Sequence, residues 1–163
     1  MIRTESELLQ YIDQKAIPYR RVEHPPVYTC EEAERLRPDT PGVSTKNLFL
    51  CDKKAHNFYL VVTECAKRVD LKSLAQVIGV NKIRFASERN LERLLGVTRG
   101  AVTVLGLVND CDGQVQLWVD SQVWEGSEFM CHPLVNTATL VLSRASLERF
   151  FAISGHSLHL FTS

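Results

Sequence analysis

Lys46 stands directly ahead of the near-continuous apolar run Asn47-Leu48-Phe49-Leu50-Cys51, in the segment Ser44-Thr45-Lys46-Asn47. An ammonium at the mouth of a buried strand is costly unless it points into a cleft or meets an anion. Lys46 is therefore a candidate for an anion contact. The competing reading is a structural lysine whose stem lies along the sheet edge with its head in water. His132 is a second candidate. Pro133 holds its backbone extended, and Asn136, Thr137 and Thr139 come within its reach if the intervening turn folds back. Such an imidazole can donate to a carbonyl or phosphate oxygen; a packed histidine with one satisfied nitrogen is the alternative. The third candidate is Gly100-Ala101-Val102-Thr103, small residues between a helix and an expected strand, where backbone N–H groups can face a ligand.

Other chemistries lack their residues. Neither the P-loop pattern nor G-x-G-x-x-G occurs, and there is no G-x-S-x-G elbow. His156 and His159, three apart in an expected strand, face opposite sides and cannot share a metal. Cys131 and His132 are adjacent on an extended chain and also point apart. The expectation is a site without metal, cofactor or protein nucleophile.

The elements that must hold these residues are marked by their caps. Thr4-x-x-Glu7 opens a helix over about Thr4 to Lys15 that buries Leu8, Leu9 and Ile12 and ends at Pro18. Ile17 to Glu23 reads as a strand, with His24-Pro25-Pro26 as its extended exit. Thr29-x-x-Glu32 starts a short helix that stops near Pro38, before the turn cluster Asp39 to Gly42. Lys46 to Cys51 and Phe58 to Thr63 read as strands covered on both faces, joined antiparallel by the polar loop Asp52 to Asn57. Asp70 caps a helix closed by Gly79, the strand Ile83-Arg84-Phe85 follows, and Ser87 caps a helix closed by Gly96. Strands are expected at Val104 to Val108, Val115 to Val119 across the turn at Asn109 to Gly113, Glu128 to Cys131, and Thr137 to Leu142, as a meander or partly closed barrel. Ser143 caps a last helix ending at Gly155, and His156 to Phe161 makes a final strand. No linker divides residues 1–163, so one domain is expected.

With 19 basic and 19 acidic side chains the net charge is zero, which excludes the basic footprint of a protein that grips long nucleic acid. DNA is not an expected partner, and any RNA contact must be local. Arg20 with Arg21, Lys53 with Lys54, and Lys67 with Arg68, Lys72, Lys82 and Arg84 are the candidate clusters, each also readable as a solvated face. The five cysteines have no C-x-x-C or zinc spacing, which suits a reducing compartment. With no signal-peptide pattern and no apolar run near the roughly 20 residues of a membrane span, a cytoplasmic protein with no membrane contact is expected.

Taken together, Ser44-Thr45-Lys46-Asn47-Leu48-Phe49-Leu50-x-Asp52, Leu107-Val108-Asn109-Asp110, His132-Pro133-Leu134-x-Asn136-Thr137-Ala138-Thr139 and Gly155-His156 resemble the YbaK and prolyl-tRNA synthetase-associated editing family. The likeness runs from about Glu5 to Leu160 and looks closest to the free-standing Ala-tRNA(Pro) deacylases. It implies an α/β (α+β) fold with a mixed, barrel-like sheet flanked by helices. It also implies ester hydrolysis at the acceptor end of mischarged tRNA without metal, cofactor or covalent intermediate, with a synthetase as a possible docking partner. Lys46 and His132 fall on the family's conserved lysine and histidine. The lysine would hold the 3′-terminal nucleotide or the ester carbonyl while the substrate's own 2′-hydroxyl helps to activate water. Asn47, Gly100, Ala101, Val102, Thr103, Val104, Asn136 and Thr137 would shape the substrate pocket.

That division of labour is chemically sufficient, because an aminoacyl ester is already activated and needs positioning and oxyanion stabilisation most. A close-packed pocket would select by size, admitting alanine and excluding the proline ring. One departure stands out: the family's Gly-x-x-x-Pro loop is here Gly100-Ala101-Val102-Thr103-Val104, which loses proline's fixed backbone angle. Serine, cysteine and 2-aminobutyrate esters therefore remain alternative substrates. A weakly catalytic aminoacyl-tRNA or synthetase binding module and a small-molecule esterase or amidase are the readings from other classes.

Overall fold

The computed structural model describes residues 1–36 and 44–162. The caps read from the sequence form as expected. Thr4 accepts from the Glu7 amide at the start of α1 (Glu5–Gln14), which buries Leu8 and Ile12 completely. After the short strand β1 (Arg20–Glu23), Thr29 accepts from the Glu32 amide and opens α2 (Cys30–Arg35). The expected helix stop near Pro38 and the turn at 39–42 lie outside the described residues.

β2 (Thr45–Asp52) and β3 (Phe58–Glu64) form the expected antiparallel hairpin, in which Lys46 pairs with Thr63 and Asn47 with Val62. α3 (Leu71–Ile78) starts on the Asp70 cap, and β4 (Ile83–Phe85) adds to the outer side of β2. α4 (Glu88–Leu95) starts on Ser87 and ends at Gly96, whose φ of 68° favours glycine. Space demands glycine there too: a Cβ would stand 2.5 Å from Asn109 Nδ2, which is held in place by donating to the carbonyls of Leu95 and Ile2.

The expected meander is replaced by another topology. Val104–Asn109 is a 3₁₀ helix, opened by Thr103 Oγ1 accepting from the Leu105 amide. A short continuous apolar run has no period that tells a buried helical segment from a strand. Gly106 supplies the packing reason: its bare Cα rests against Leu95, where a Cβ would come within 3.1 Å of the Leu95 side chain. β5 (Val115–Asp120) then runs parallel to β3 instead of turning back as a hairpin, and β8 (Leu158–Phe161) runs parallel to β5. α5 (Ser121–Trp124), β6 (Glu128–Cys131), β7 (Ala138–Ser143) and α6 (Arg144–Ser154) complete the described elements. The final strand begins at Leu158, so His156 precedes it.

The fold is thus mixed α/β, and its described strands form two sheets, β4-β2-β3-β5-β8 and β1-β7-β6, without barrel closure between them. Alternation along β2 and β3 divides the packing. Phe49, Cys51, Phe58, Leu60 and Val62 face the main core with β7, α1, α4 and α6. Leu50, Tyr59 and Val61 face a smaller core under α3. A bridge between Cys30 and Cys65, with Cα atoms 5.8 Å apart, ties the start of α2 to the end of β3. The cysteine spacing only suits a reducing compartment and gives no sign of this bridge, because a pair 35 residues apart leaves no mark in local spacing; Cys51, Cys111 and Cys131 are free.

Candidate active site

The carboxyl ends of the parallel strands β3, β5 and β8 and the start of β2 meet at one edge of the larger sheet. Open α/β sheets bind ligands at this kind of edge, where loops leave the strands and backbone groups are not consumed by the ladder. Here a cavity of about 130 Å³ opens on the main-core side. Its walls are apolar, from Val62, Val104, Val119, Phe129 and Phe151, and its polar lining includes Thr45, Asn47, Thr103, Gln122 and Glu128. Asn47 reaches it because odd positions of β2 face this core. Thr103 and Val104 reach it because the 3₁₀ helix turns there.

The rest of the expected loop behaves differently. Gly100 is exposed in a 3₁₀ turn over Arg99–Ala101, with open space at its Cβ position. Ala101 is buried in the main core and Val102 packs against it.

Lys46 lies on the other face of the sheet, level with Thr63. Its Nζ donates to the Lys67 carbonyl at 2.6 Å. Lys67 in turn donates from Nζ to the fully buried Asp120 carboxylate at 2.9 Å and to Gln122 Oε1 at 2.7 Å. Since Gln122 lines the cavity, a chain of contacts runs from Lys46 around the strand end to the apolar pocket.

His132 borders a smaller hollow that shares Thr45, Met130 and Cys131 with the cavity. Its Nδ1 is buried without a hydrogen-bond partner among the described residues. Burial pushes its pKa below the ordinary histidine value, and nearby His24 adds to this, against a backbone hydrogen bond at Ala138. The imidazole is therefore neutral at pH 7 and can offer one donor and one acceptor. Burial also pushes the Cys131 thiol up to about 12, so it holds no thiolate.

His24, read from the sequence only as part of a strand exit, lines the same hollow. Its Nδ1 lies 2.8 Å from the Pro25 carbonyl, which can only accept, so Nδ1 carries a proton and a neutral ring accepts from Thr139 Oγ1 at Nε2, also 2.8 Å away. The signal for it was present: His24-Pro25 repeats the dipeptide His132-Pro133. Asn136 and Thr137 hold this segment in place. Asn136 exchanges hydrogen bonds with the Val27 backbone, and the Thr137 carbonyl accepts from the His24 amide.

Comparison with known proteins agrees with this architecture. Residues 24–150 match the aminoacyl-tRNA editing domain family. The prolyl-tRNA editing protein ProX of Acetoanaerobium sticklandii is 39% identical over 146 residues, covering 90% of this chain and 89% of that protein. The mouse prolyl-tRNA synthetase associated domain-containing protein 1 is 37% identical over 155 residues, covering 93% and 91%. Among solved structures, hypothetical protein APE2540 superposes with a TM-score of 0.72 at 21% identity, over 96% of this chain and 97% of that one. A candidate trans-editing enzyme for prolyl tRNA synthetase superposes at 0.70 with 17% identity, over 100% and 99%. The sequence motifs around Lys46 and His132, the fold and the extent of these matches together make the chain a member of the aminoacyl-tRNA editing domain family.

Proposed function

We propose that this chain, an aminoacyl-tRNA editing enzyme by family, hydrolyses the ester of a small amino acid wrongly attached to tRNA, with alanine on proline tRNA as the leading substrate. The observation that carries the reading is the apolar cavity of about 130 Å³ at the carboxyl edge of the sheet, rimmed by Asn47, Thr103 and Gln122. Such a space suits a small side chain, while the polar rim suits the ester and amino groups. The cavity's walls select by packing, and Val104 is the wall residue that departs from the family's proline.

Water attacks the ester carbonyl, the developing oxyanion is stabilised by the cation at the sheet edge, and the ribose oxygen leaves with a proton. The substrate's 2′-hydroxyl helps to orient that water. Lys46 would supply the positive charge by exchanging the Lys67 carbonyl for an oxygen of the substrate. The neutral His132 and its neighbour His24 would act as hydrogen-bonding groups at the adjoining hollow. The partner is the acceptor end of tRNA, with a synthetase as a further docking partner and the cytoplasm as the working compartment. A zero net charge fits a contact with few phosphates.

One observation favours a second reading, an aminoacyl-tRNA binding module: the Lys46 ammonium already has a carbonyl partner. Incubation with a panel of tRNAs mischarged with alanine, serine, cysteine and 2-aminobutyrate separates the two. Release of one amino acid supports editing, and binding without release supports the module. Inertness towards every member of the panel overturns both.

A further inference from the structure

A second cavity, of about 360 Å³, opens at the same edge of the larger sheet but on the α3 side. Val69, Leu74, Val77 and Phe161 give it an apolar floor, and Thr63, Arg68, Asp70 and Ser73 give it polar walls. Thr63 indicates that a polar ligand belongs there. It is 1% exposed, yet its Oγ1 has no hydrogen-bond partner among the described residues. The other buried threonines differ: Thr103 Oγ1 accepts from Leu105, and Thr139 Oγ1 meets His24. A buried hydroxyl without a partner is disfavoured, so a site that keeps one is built for a group that arrives later.

The surrounding charges narrow what that group is. At the start of α3 the Asp70 carboxylate accepts from the Lys72 amide and from Ser73 Oγ. It fills the position that a bare phosphate would otherwise take and repels one. A carboxylate with remaining lone pairs beside an apolar floor suits a flat, uncharged ring that carries an exocyclic amine, as adenine and cytosine do. Arg68 is exposed at the rim and engaged by none of the described residues, so it is available to stack on such a ring or to meet the phosphate that follows it.

The location joins the two cavities. Val62 lines the first and Thr63 the second, so they occupy opposite faces of one strand end. Lys67, in the wall of the second, donates to Gln122, in the wall of the first. A molecule that places an amino acid in one and a base in the other crosses the sheet edge beside Lys46. We propose that the second cavity binds an amine-bearing nucleobase from the single-stranded 3′ end of tRNA. This inference rests on the editing reading for the identity of its ligand.

The test uses the full chain, labelled with ¹⁵N and titrated with the trinucleotide cytidine-cytidine-adenosine. The expected shifts fall on Thr63, on 67–74 and on Phe161 and Thr162. Thr63→Val weakens binding roughly three- to tenfold, the size of one hydrogen bond. Arg68→Ala lowers the slope of log affinity against log salt by about 0.7. Val77→Trp, at a rim position that is 46% exposed and tolerant of size, blocks binding by filling the cavity. The same variants raise KM for mischarged tRNA more than they lower kcat. A trinucleotide of uridine and inosine, which lacks the amines, binds more weakly. Shifts confined to other surfaces, equal binding of the amine-free trinucleotide, or an unchanged KM in both Thr63→Val and Val77→Trp overturn the proposal. Binding at this cavity with no hydrolysis of any mischarged tRNA supports the base site and overturns the editing reading, so the two fail separately.

Discussion

Asp110 Oδ2 lies 2.8 Å from His156 Nε2, with both side chains almost completely buried. The pair joins the end of the 3₁₀ helix to the end of α6. Ser154 Oγ meets the other imidazole nitrogen at 2.9 Å, and Asp110 also accepts from the amides of Gln114 and Val115, which fixes where β5 begins. Two of the stretches behind the family resemblance, one ending at Asp110 and one at His156, thus meet as a buried support; neither residue lines the cavity, but the His156 amide donates to the carbonyl of the wall residue Phe151. Asp110→Ala is expected to destabilise the fold by about 3 kcal/mol, since it leaves an imidazole and two amides without their acceptor. Urea denaturation measures it; a loss below about 1 kcal/mol contradicts the role.

The same carboxylate sets an acid limit. Burial pushes the Asp110 pKa up, but hydrogen bonds from His156, Val115 and Gln114 outweigh it and hold it below the ordinary aspartate value. A carboxyl depressed in the folded state stabilises the fold above its unfolded value, and that stability is lost as pH falls through the folded one. Asp110→Asn should therefore flatten the fall in stability below about pH 4. Parallel denaturation curves for variant and parent from pH 5 down to pH 2 would contradict this.

Lys46→Ala is expected to lower deacylation about a hundredfold, on the order of 3 kcal/mol in the transition state, with the fold retained. The Lys67 carbonyl it abandons lies at a partly exposed edge where water replaces the ammonium. Single-turnover hydrolysis of the best mischarged tRNA is the measurement. A folded variant with near-parental turnover removes Lys46 from the chemistry.

His132→Ala is expected to cost less rate than Lys46→Ala, because a neutral donor contributes less than a charged one, and to loosen selectivity among small amino acids. NMR titration should find the His132 pKa below about 6.5, the ordinary value. Above that value both states are neutral and the residue adds nothing to pH dependence. As pH falls below it the unfolded chain takes up the proton first, so stability declines until the folded pKa is passed. A titration at or above the ordinary value contradicts the buried, neutral ring.

Val104→Pro should fold and gain roughly 0.4–1 kcal/mol. Val104 is the first residue of a 3₁₀ helix, where its N–H is not needed, and Thr103 before it has the extended φ of −152° and ψ of 148° that a following proline requires. Because Val104 lines the cavity, turnover should rise or shift towards the alanine ester. Thermal melts and hydrolysis of alanyl and seryl esters test it. Equal falls in both rates would mean that Val104 suits this protein's own substrate.

What was legible in the sequence was local. Thr4, Thr29, Asp70, Ser87 and Ser143 each accept from an amide two or three residues ahead, so their helices could be read from short strings. The β2–β3 hairpin was legible for the same reason. What failed was long-range or lacked a period. Val104 to Val108 is apolar at every turn, and β5 joins a strand it does not follow directly in the chain. The strings around Lys46 and His132 identified the family, and strand alternation alone parts Lys46 from Asn47, yet no string says that Cys30 meets Cys65.

The contact between His24 and Thr139 spans 115 residues of chain. A ribosome adding roughly 5–20 residues per second needs about 6–23 s to cover that distance. During synthesis the first strand of the smaller sheet must wait, unpaired, for a neighbour made near the end. A nascent or prematurely terminated chain that stops short of β7 therefore lacks Thr139, and the hollow that His24 and His132 border stays incomplete until that strand is made.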